Sequence, residues 1–161
     1  MNRILVATDG SESAAEAVEF GIELAAEHQA ELIFAHVVPE LDLIPATVFS
    51  IGGAFPHELS IEDRALLEDA AAIAEAHGVL STTALLRGET VDEIVAYADS
   101  HDVDLIVVGS RGHGTISTAL LGSVSRGILQ ESMRPVLVVR GGASVHHAGN
   151  GRRRTGIGLG F

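Results

Sequence analysis

The chain has 161 residues, 47% of them hydrophobic, which is the size of one ordinary domain with helices on both sides of a core. It contains no cysteine and no lysine. These absences exclude disulfides, thiolate metal sites, Schiff-base chemistry and a lysine-dependent phosphate loop. The formal net charge of −12 repels nucleic-acid phosphates, so we expect no nucleic-acid partner. There is neither a signal-peptide pattern nor an apolar run near the roughly 18–20 residues that span a bilayer, so we expect a cytoplasmic protein without a membrane partner.

The first predicted elements are a strand, a turn and a helix. Residues 3–8 form a short apolar run typical of a buried strand, and residues 9–11 form the turn. A helix is indicated by apolar residues at helical spacing: Ala14, Val18, Ile22 and Ala25. Ser13 and Glu16 have the spacing of a capping box, which predicts Ser13 as the N-cap of this helix.

The second unit repeats this order. A strand over residues 31–38 leads into a long connection from Pro39 to about Pro56, and a connection of this length is often functional or mobile. The next helix runs from residue 61 to residue 77, and Gly78 ends it.

The third and fourth units complete the pattern. The third strand, residues 79–86, precedes a helix from about residue 91 to residue 101, where Thr90 and Glu93 form a second predicted capping box. The fourth strand covers residues 104–109. After it come a helix from about residue 123 to residue 133 and, as the last strand, residues 135–140.

These elements predict an α/β fold. Five strands that are apolar on both faces and alternate with four helices form a parallel sheet covered on each side. Right-handed crossovers make it a single doubly wound, Rossmann-like domain, for which we expect strand order 3-2-1-4-5 over residues 1–140. Residues 141–161 lack an apolar period and predict a flexible tail rich in glycine and arginine. Ligands of such folds bind beyond the carboxyl ends of the strands, which favours the loops after the first and fourth strands.

The stretch from Gly109 to Gly127, GSRGHGTISTALLGSVSRG, concentrates glycine and hydroxyl residues in the second of these loops. The helix that begins near Gly122 has backbone N–H groups without intrahelical partners, and these attract anions. Hydroxyls of Ser123 and Ser125, together with Arg111 or His113, would complete a phosphate cradle. A second interpretation is equally open at this point: the glycines only turn a tight loop, and Ser123 caps the helix.

The spacing Gly109-x2-Gly112-x9-Gly122-Ser123 resembles the nucleotide-binding signature of the universal stress protein family, in its ATP-binding branch. The resemblance extends to ILVATDGSE, FAHVV, DLIVVGSRGHG and SMRPVLVVR, and with the order of elements it covers residues 1 to about 140.

The resemblance implies a site for ATP, ADP or AMP, with Mg²⁺ held through the phosphates rather than by a protein metal site. The first turn would contact sugar and phosphates, and the backbone of the second strand would bind adenine. The loop after the fourth strand would line ribose and phosphates, and the next helix would hold the phosphate tail. In that order, the implied binding residues are Ala7, Thr8 and Asp9; Val37; Val108, Gly109, Arg111 and Gly112; and Gly122, Ser123, Val124 and Ser125.

The resemblance also implies a homodimer that pairs through the last strand, residues 136–140, although helices of the same chain are an alternative cover for that apolar strand. Three functions stay open. The chain is an ATP-binding stress-response regulator acting on a partner protein, a slow ATPase or nucleotidyl-handling enzyme, or a nucleotide-free dimeric interaction module. We expect no dedicated catalytic residues, because only Asp9 and His113 are placed to assist hydrolysis and no third residue completes a set.

Overall fold

The computed structural model describes residues 1–39, 61–112 and 121–140. His113, residues 40–56 of the predicted connection and the predicted tail, residues 141–161, lie outside the described residues. The described elements alternate along the chain in the predicted order: β1 Arg3–Ala7, α1 Glu12–His28, β2 Glu31–Val38, α2 Ile61–Ala76, β3 Ser81–Arg87, α3 Thr90–Ser100, β4 Leu105–Gly109, α4 Ser123–Glu131 and β5 Val136–Val139.

The predicted fold class and strand order are confirmed. All neighbouring strands pair in parallel, and their order across the sheet is β3-β2-β1-β4-β5. The chain therefore moves outward from β1 to β3, crosses back, and continues on the other side through β4 and β5. This reversal places β1 and β4 side by side at the centre of the sheet, so the loops that follow them diverge and leave a crevice.

Two hydrophobic cores, one on each face of the sheet, explain why the strands read as continuous apolar runs. Successive residues of a strand point to opposite faces. Ile4 and Val6 of β1 therefore pack with α1 and α2, whereas Leu5 between them packs with α3 and α4. The same alternation puts Phe34, fully buried, on the α1 and α2 face.

Both predicted capping boxes are wrong. The N-cap of α1 is Ser11, whose side chain accepts a hydrogen bond from the Ala14 N–H, and the N-cap of α3 is Glu89, whose carboxylate accepts from the N–H groups of Val91 and Asp92. Ser13 lies inside α1, and its hydroxyl contacts the loop after β4 instead. The predicted end of α2 is correct, since Gly78 has the positive φ of 71° that favours glycine after a helix.

Candidate functional site

A cavity of about 460 Å³ opens at the carboxyl ends of β1, β2 and β4. Its volume falls in the range of roughly 300–1,000 Å³ that is usual for small-molecule sites. All twelve residues named from the sequence line it: Ala7, Thr8, Asp9, Val37, Val108, Gly109, Arg111, Gly112, Gly122, Ser123, Val124 and Ser125. Seven further residues line it that the sequence did not point to: Ala14, Ala35, His36, Thr90, Ile94, Leu121 and Arg126.

The turns after β1 and β4 meet at the carboxylate of Asp9. One oxygen of this carboxylate, Oδ1, accepts a hydrogen bond of 2.9 Å from the Ser11 N–H, which fixes the turn into α1. The other, Oδ2, lies against Gly112, where an added Cβ would come within 2.6 Å of it. The lack of a side chain at Gly112 therefore lets the loop after β4 approach the carboxylate, and Asp9 sits between the two loops that form the crevice.

The carbonyl of Ser110 connects the end of β4 to the start of α4. It accepts hydrogen bonds from the Gly122 N–H at 2.8 Å and from the Ser125 hydroxyl at 3.3 Å. The Ser110 N–H in turn donates to the Val139 carbonyl at 2.7 Å. Both Ser110 and Ser125 are buried. These bonds hold the first turn of α4 against the carboxyl end of the sheet, at the rim of the cavity.

The start of α4 differs from the starts of α1 and α3 in having no side-chain cap. Its N-cap is Gly122, which has no side chain to accept from the first N–H groups of the helix. The interpretation of Ser123 as the cap is wrong, because Ser123 is already the first residue of the helix. These N–H donors and the positive end of the helix dipole therefore face the cavity, the arrangement that binds anions at helix starts.

Gly109 and Gly122, the first and last glycines of the Gly109-x2-Gly112-x9-Gly122 spacing, differ in whether the fold requires a glycine. A Cβ on Gly109 would lie 2.5 Å from the Ser13 carbonyl oxygen, so glycine is needed there for α1 to pack on β4. Among the described residues, a Cβ on Gly122 would meet no atom closer than 3.5 Å, and Gly122 has an ordinary extended conformation with φ −66° and ψ 165°. The described part of the fold therefore does not require glycine at position 122. Gly122 itself lines the cavity.

The part of the cavity away from the start of α4 is apolar and includes the backbone of Val37 at the end of β2. Ala35, Ile94 and Val108 contribute apolar surface. The Thr8 N–H donates to the Ala35 carbonyl, whereas the Val38 carbonyl accepts from Gly88 on the β3 side. Because backbone groups of a parallel strand alternate between its two neighbours, the N–H and C=O of Val37 face the β1 side. There β1 has already ended, so these polar groups face the cavity.

His36 of β2 lies in the cavity wall, and both nitrogens of its ring have hydrogen-bond partners. Its Nδ1 is 2.9 Å from the Thr8 carbonyl oxygen, and its Nε2 is 3.2 Å from Oδ1 of Asp63 in the first turn of α2. His36 therefore links three elements around the cavity. The alternation of β2 puts its side chain on the same face as Phe34, so only the position of α2 reveals the contact.

In residues 1–39, 61–112 and 121–140, no group of three or more His, Cys, Asp or Glu side chains is arranged to hold a metal ion. None of the helices in those ranges is long and apolar enough to cross a membrane.

The model of the universal stress protein family matches residues 1–140 of the chain. The chain belongs to the universal stress protein family. Universal stress protein YxiE of Bacillus subtilis is 38% identical over 146 residues, a match that covers 86% of this chain and 99% of YxiE.

Solved structures of other universal stress proteins and relatives share the fold. The structure of MJ0577, a universal stress protein of Methanocaldococcus jannaschii, superposes with a TM-score of 0.75 at 29% identity, covering 86% of this chain and 95% of MJ0577. A universal stress protein from Archaeoglobus fulgidus in complex with dAMP gives a TM-score of 0.65 at 26% identity, covering 86% of this chain and 98% of that protein.

Proposed function

We propose that this chain is a cytoplasmic stress-response regulator. It binds an adenine nucleotide, primarily ATP, in the cavity at the carboxyl ends of β1, β2 and β4. The observation that carries the proposal is the start of α4: it lines the cavity, and its N-cap, Gly122, has no side chain to cover the first N–H groups of the helix. A phosphate group is the ligand that such a helix start favours. The dAMP complex of a relative supports an adenine nucleotide in particular.

The two halves of the cavity suit the two ends of a nucleotide. The apolar walls near Ala35 and Ile94 accept a flat base, and the N–H and C=O of Val37 offer one donor and one acceptor to its edge. At the other end, Ser123, Val124 and Ser125 present backbone N–H groups to the phosphates. Asp9 lies between these ends, beside Gly112, where it would contact the sugar or a Mg²⁺ ion held through the phosphates. Such an ion would neutralise phosphate charge, and it needs few protein ligands.

The test is the ultraviolet spectrum of the freshly purified protein, followed by chromatography of what denaturation releases. The chain has no tryptophan and a single tyrosine, Tyr97, so a bound adenine would dominate the absorption. We expect about one adenine nucleotide per chain, or binding of added ATP with magnesium when the protein is purified empty. A protein that carries none and fails to bind added ATP would contradict the proposal and favour a nucleotide-free interaction module.

We also propose that the regulator is a homodimer that pairs through residues 136–140. β5 is an edge of the sheet and pairs only with β4 among the described strands. Three residues of this edge are half-buried in the single chain: Val136, Leu137 and Val138. An apolar edge of this kind favours pairing with a second copy.

Sedimentation equilibrium should give twice the 16.8 kDa of one chain. Replacing Val138 by proline removes a backbone hydrogen-bond donor and should give the monomer mass. A monomeric parent protein would contradict the proposal.

A further inference from the structure

The start of α4 lacks the acidic residues that the other helices carry. Acidic side chains in the first turn favour the positive end of a helix dipole. Each of the other helices has them: Glu12 in α1, Glu62 and Asp63 in α2, and Asp92 and Glu93 in α3. The first turn of α4 has none, in a chain with 22 acidic and 10 basic residues. The starts of α1 and α3 each give one residue to the cavity lining, whereas α4 gives Ser123, Val124, Ser125 and Arg126 and has no negative charge in its first turn.

Arg126 adds a positive charge at this same helix start. Its backbone N–H donates to the Gly122 carbonyl at 3.1 Å, which places it one turn into α4. Its guanidinium Nη2 donates to the Leu121 carbonyl at 3.3 Å, so the side chain folds back over the beginning of the helix and lines the cavity. A cation at the positive end of a helix dipole is unfavourable, and an anion bound between them would offset this repulsion.

The two arginines of the cavity make no ion pair with any acidic residue in the described parts of the chain. Arg3 and Arg134 lie away from the cavity, and they pair with Glu31 and Asp99 at 3.0 Å each. Arg111 and Arg126 both line the cavity without such a partner, one after β4 and one on α4. In an acidic protein, cationic side chains without carboxylate partners at the rim of a cavity are available for an anionic ligand.

We propose that Arg126 makes the site selective for the length of the phosphate chain, so that ATP binds more tightly than AMP. This inference rests on the proposed function, since it assigns a residue to the phosphate end of the same site. The N–H groups of the α4 start contact one phosphate group, which every adenine nucleotide offers. The exposed guanidinium of Arg126 is long and forked, so it binds the additional phosphate groups, which only a longer chain supplies.

The experiment measures the Kd of ATP and of AMP, each with magnesium, by calorimetry on protein freed of nucleotide. In Arg126→Gln, ATP affinity should fall about tenfold, the effect of losing one charge-assisted hydrogen bond, while AMP affinity changes by less than about twofold. Arg126→Lys, which keeps the charge, should recover part of the ATP affinity. Arg64→Gln is the matched control, because it removes the same charge from an exposed position outside the cavity and should change neither Kd.

Each other outcome overturns the inference. Equal losses for ATP and AMP in Arg126→Gln would mean that Arg126 does not distinguish the phosphate chains, and unchanged ATP affinity would mean that it does not touch them. A parent protein that binds ATP and AMP equally would overturn the inference but leave the proposed function intact. A parent protein that binds neither would overturn both.

Discussion

Gly122→Asp is expected to abolish nucleotide binding while the protein stays folded. Gly122 already has the conformation of an N-cap residue, and an added Cβ would meet no atom of the described residues closer than 3.5 Å. Aspartate is a preferred N-cap residue, so its carboxylate would accept from the first N–H groups of α4 and stabilise the helix by a few tenths of a kcal/mol. The same carboxylate would occupy the phosphate position and repel the ligand. ATP affinity measured by calorimetry should fall at least about 100-fold, because charge-assisted hydrogen bonds are lost.

The control for this change is Gln130→Asp, which adds the same charge to an exposed position of α4 outside the cavity. It should leave ATP affinity within about twofold, because exposed charges at a distance are largely screened at physiological ionic strength. Thermal unfolding without nucleotide should show that Gly122→Asp is at least as stable as the parent protein. ATP affinity in Gly122→Asp within about threefold of the parent would show that no phosphate binds at the start of α4.

The overall fold was predictable because its signals are local. A parallel sheet covered on both faces needs strands that are apolar throughout, and the sequence presents them as separate short runs between amphipathic stretches. The predicted and observed strand ends differ by a residue or two. Val79 illustrates the difference, since it is buried and apolar but precedes β3, with its N–H donating to the Ala74 carbonyl at the end of α2.

The capping-box prediction for α1 was wrong because a spacing pattern cannot show which other groups form hydrogen bonds with the Ser13 hydroxyl. Ser13 has a glutamate three residues later, as a capping box requires. In the fold its Oγ accepts from the Arg111 N–H at 3.2 Å and lies 3.5 Å from the Ser110 hydroxyl. These partners are almost 100 residues away in the sequence. Ser11, and not Ser13, is therefore the N-cap of α1.

The site was predictable where the topology alone brings residues together, and not where helix packing does. Residues after β1 and β4 adjoin in any sheet of this strand order, so the loops that contain Asp9 and Gly112 were expected to lie together. Ile94 lines the cavity only because α3 packs on the sheet. Arg126 lines it only because its side chain turns back toward Leu121. The signal that would have pointed to Arg126 is the lack of acidic residues in the first turn of α4.

Gly109→Ala is expected to destabilise the protein, in contrast to the same substitution at the other end of the motif. The new Cβ would lie 2.5 Å from the carbonyl oxygen of Ser13 and 2.7 Å from its carbonyl carbon. Both atoms belong to the backbone of α1, so the whole helix would have to move away from β4. Overpacking of this kind costs about 1–3 kcal/mol. For a chain of this size, each kcal/mol lowers the Tm by about 2–4 °C.

Thermal and urea unfolding, both on protein freed of nucleotide, measure this effect, with Gly122→Ala as the matched control. That substitution adds the same methyl group where its nearest neighbour among the described residues would be 3.5 Å away, and it should cost at most about 1 kcal/mol through weaker capping. A Gly109→Ala protein as stable as the parent would mean that the first glycine of the motif is not needed for packing α1 on β4. The expected result instead separates the two glycines: Gly109 allows helix and strand to pack closely, whereas the described fold accepts a methyl group at position 122.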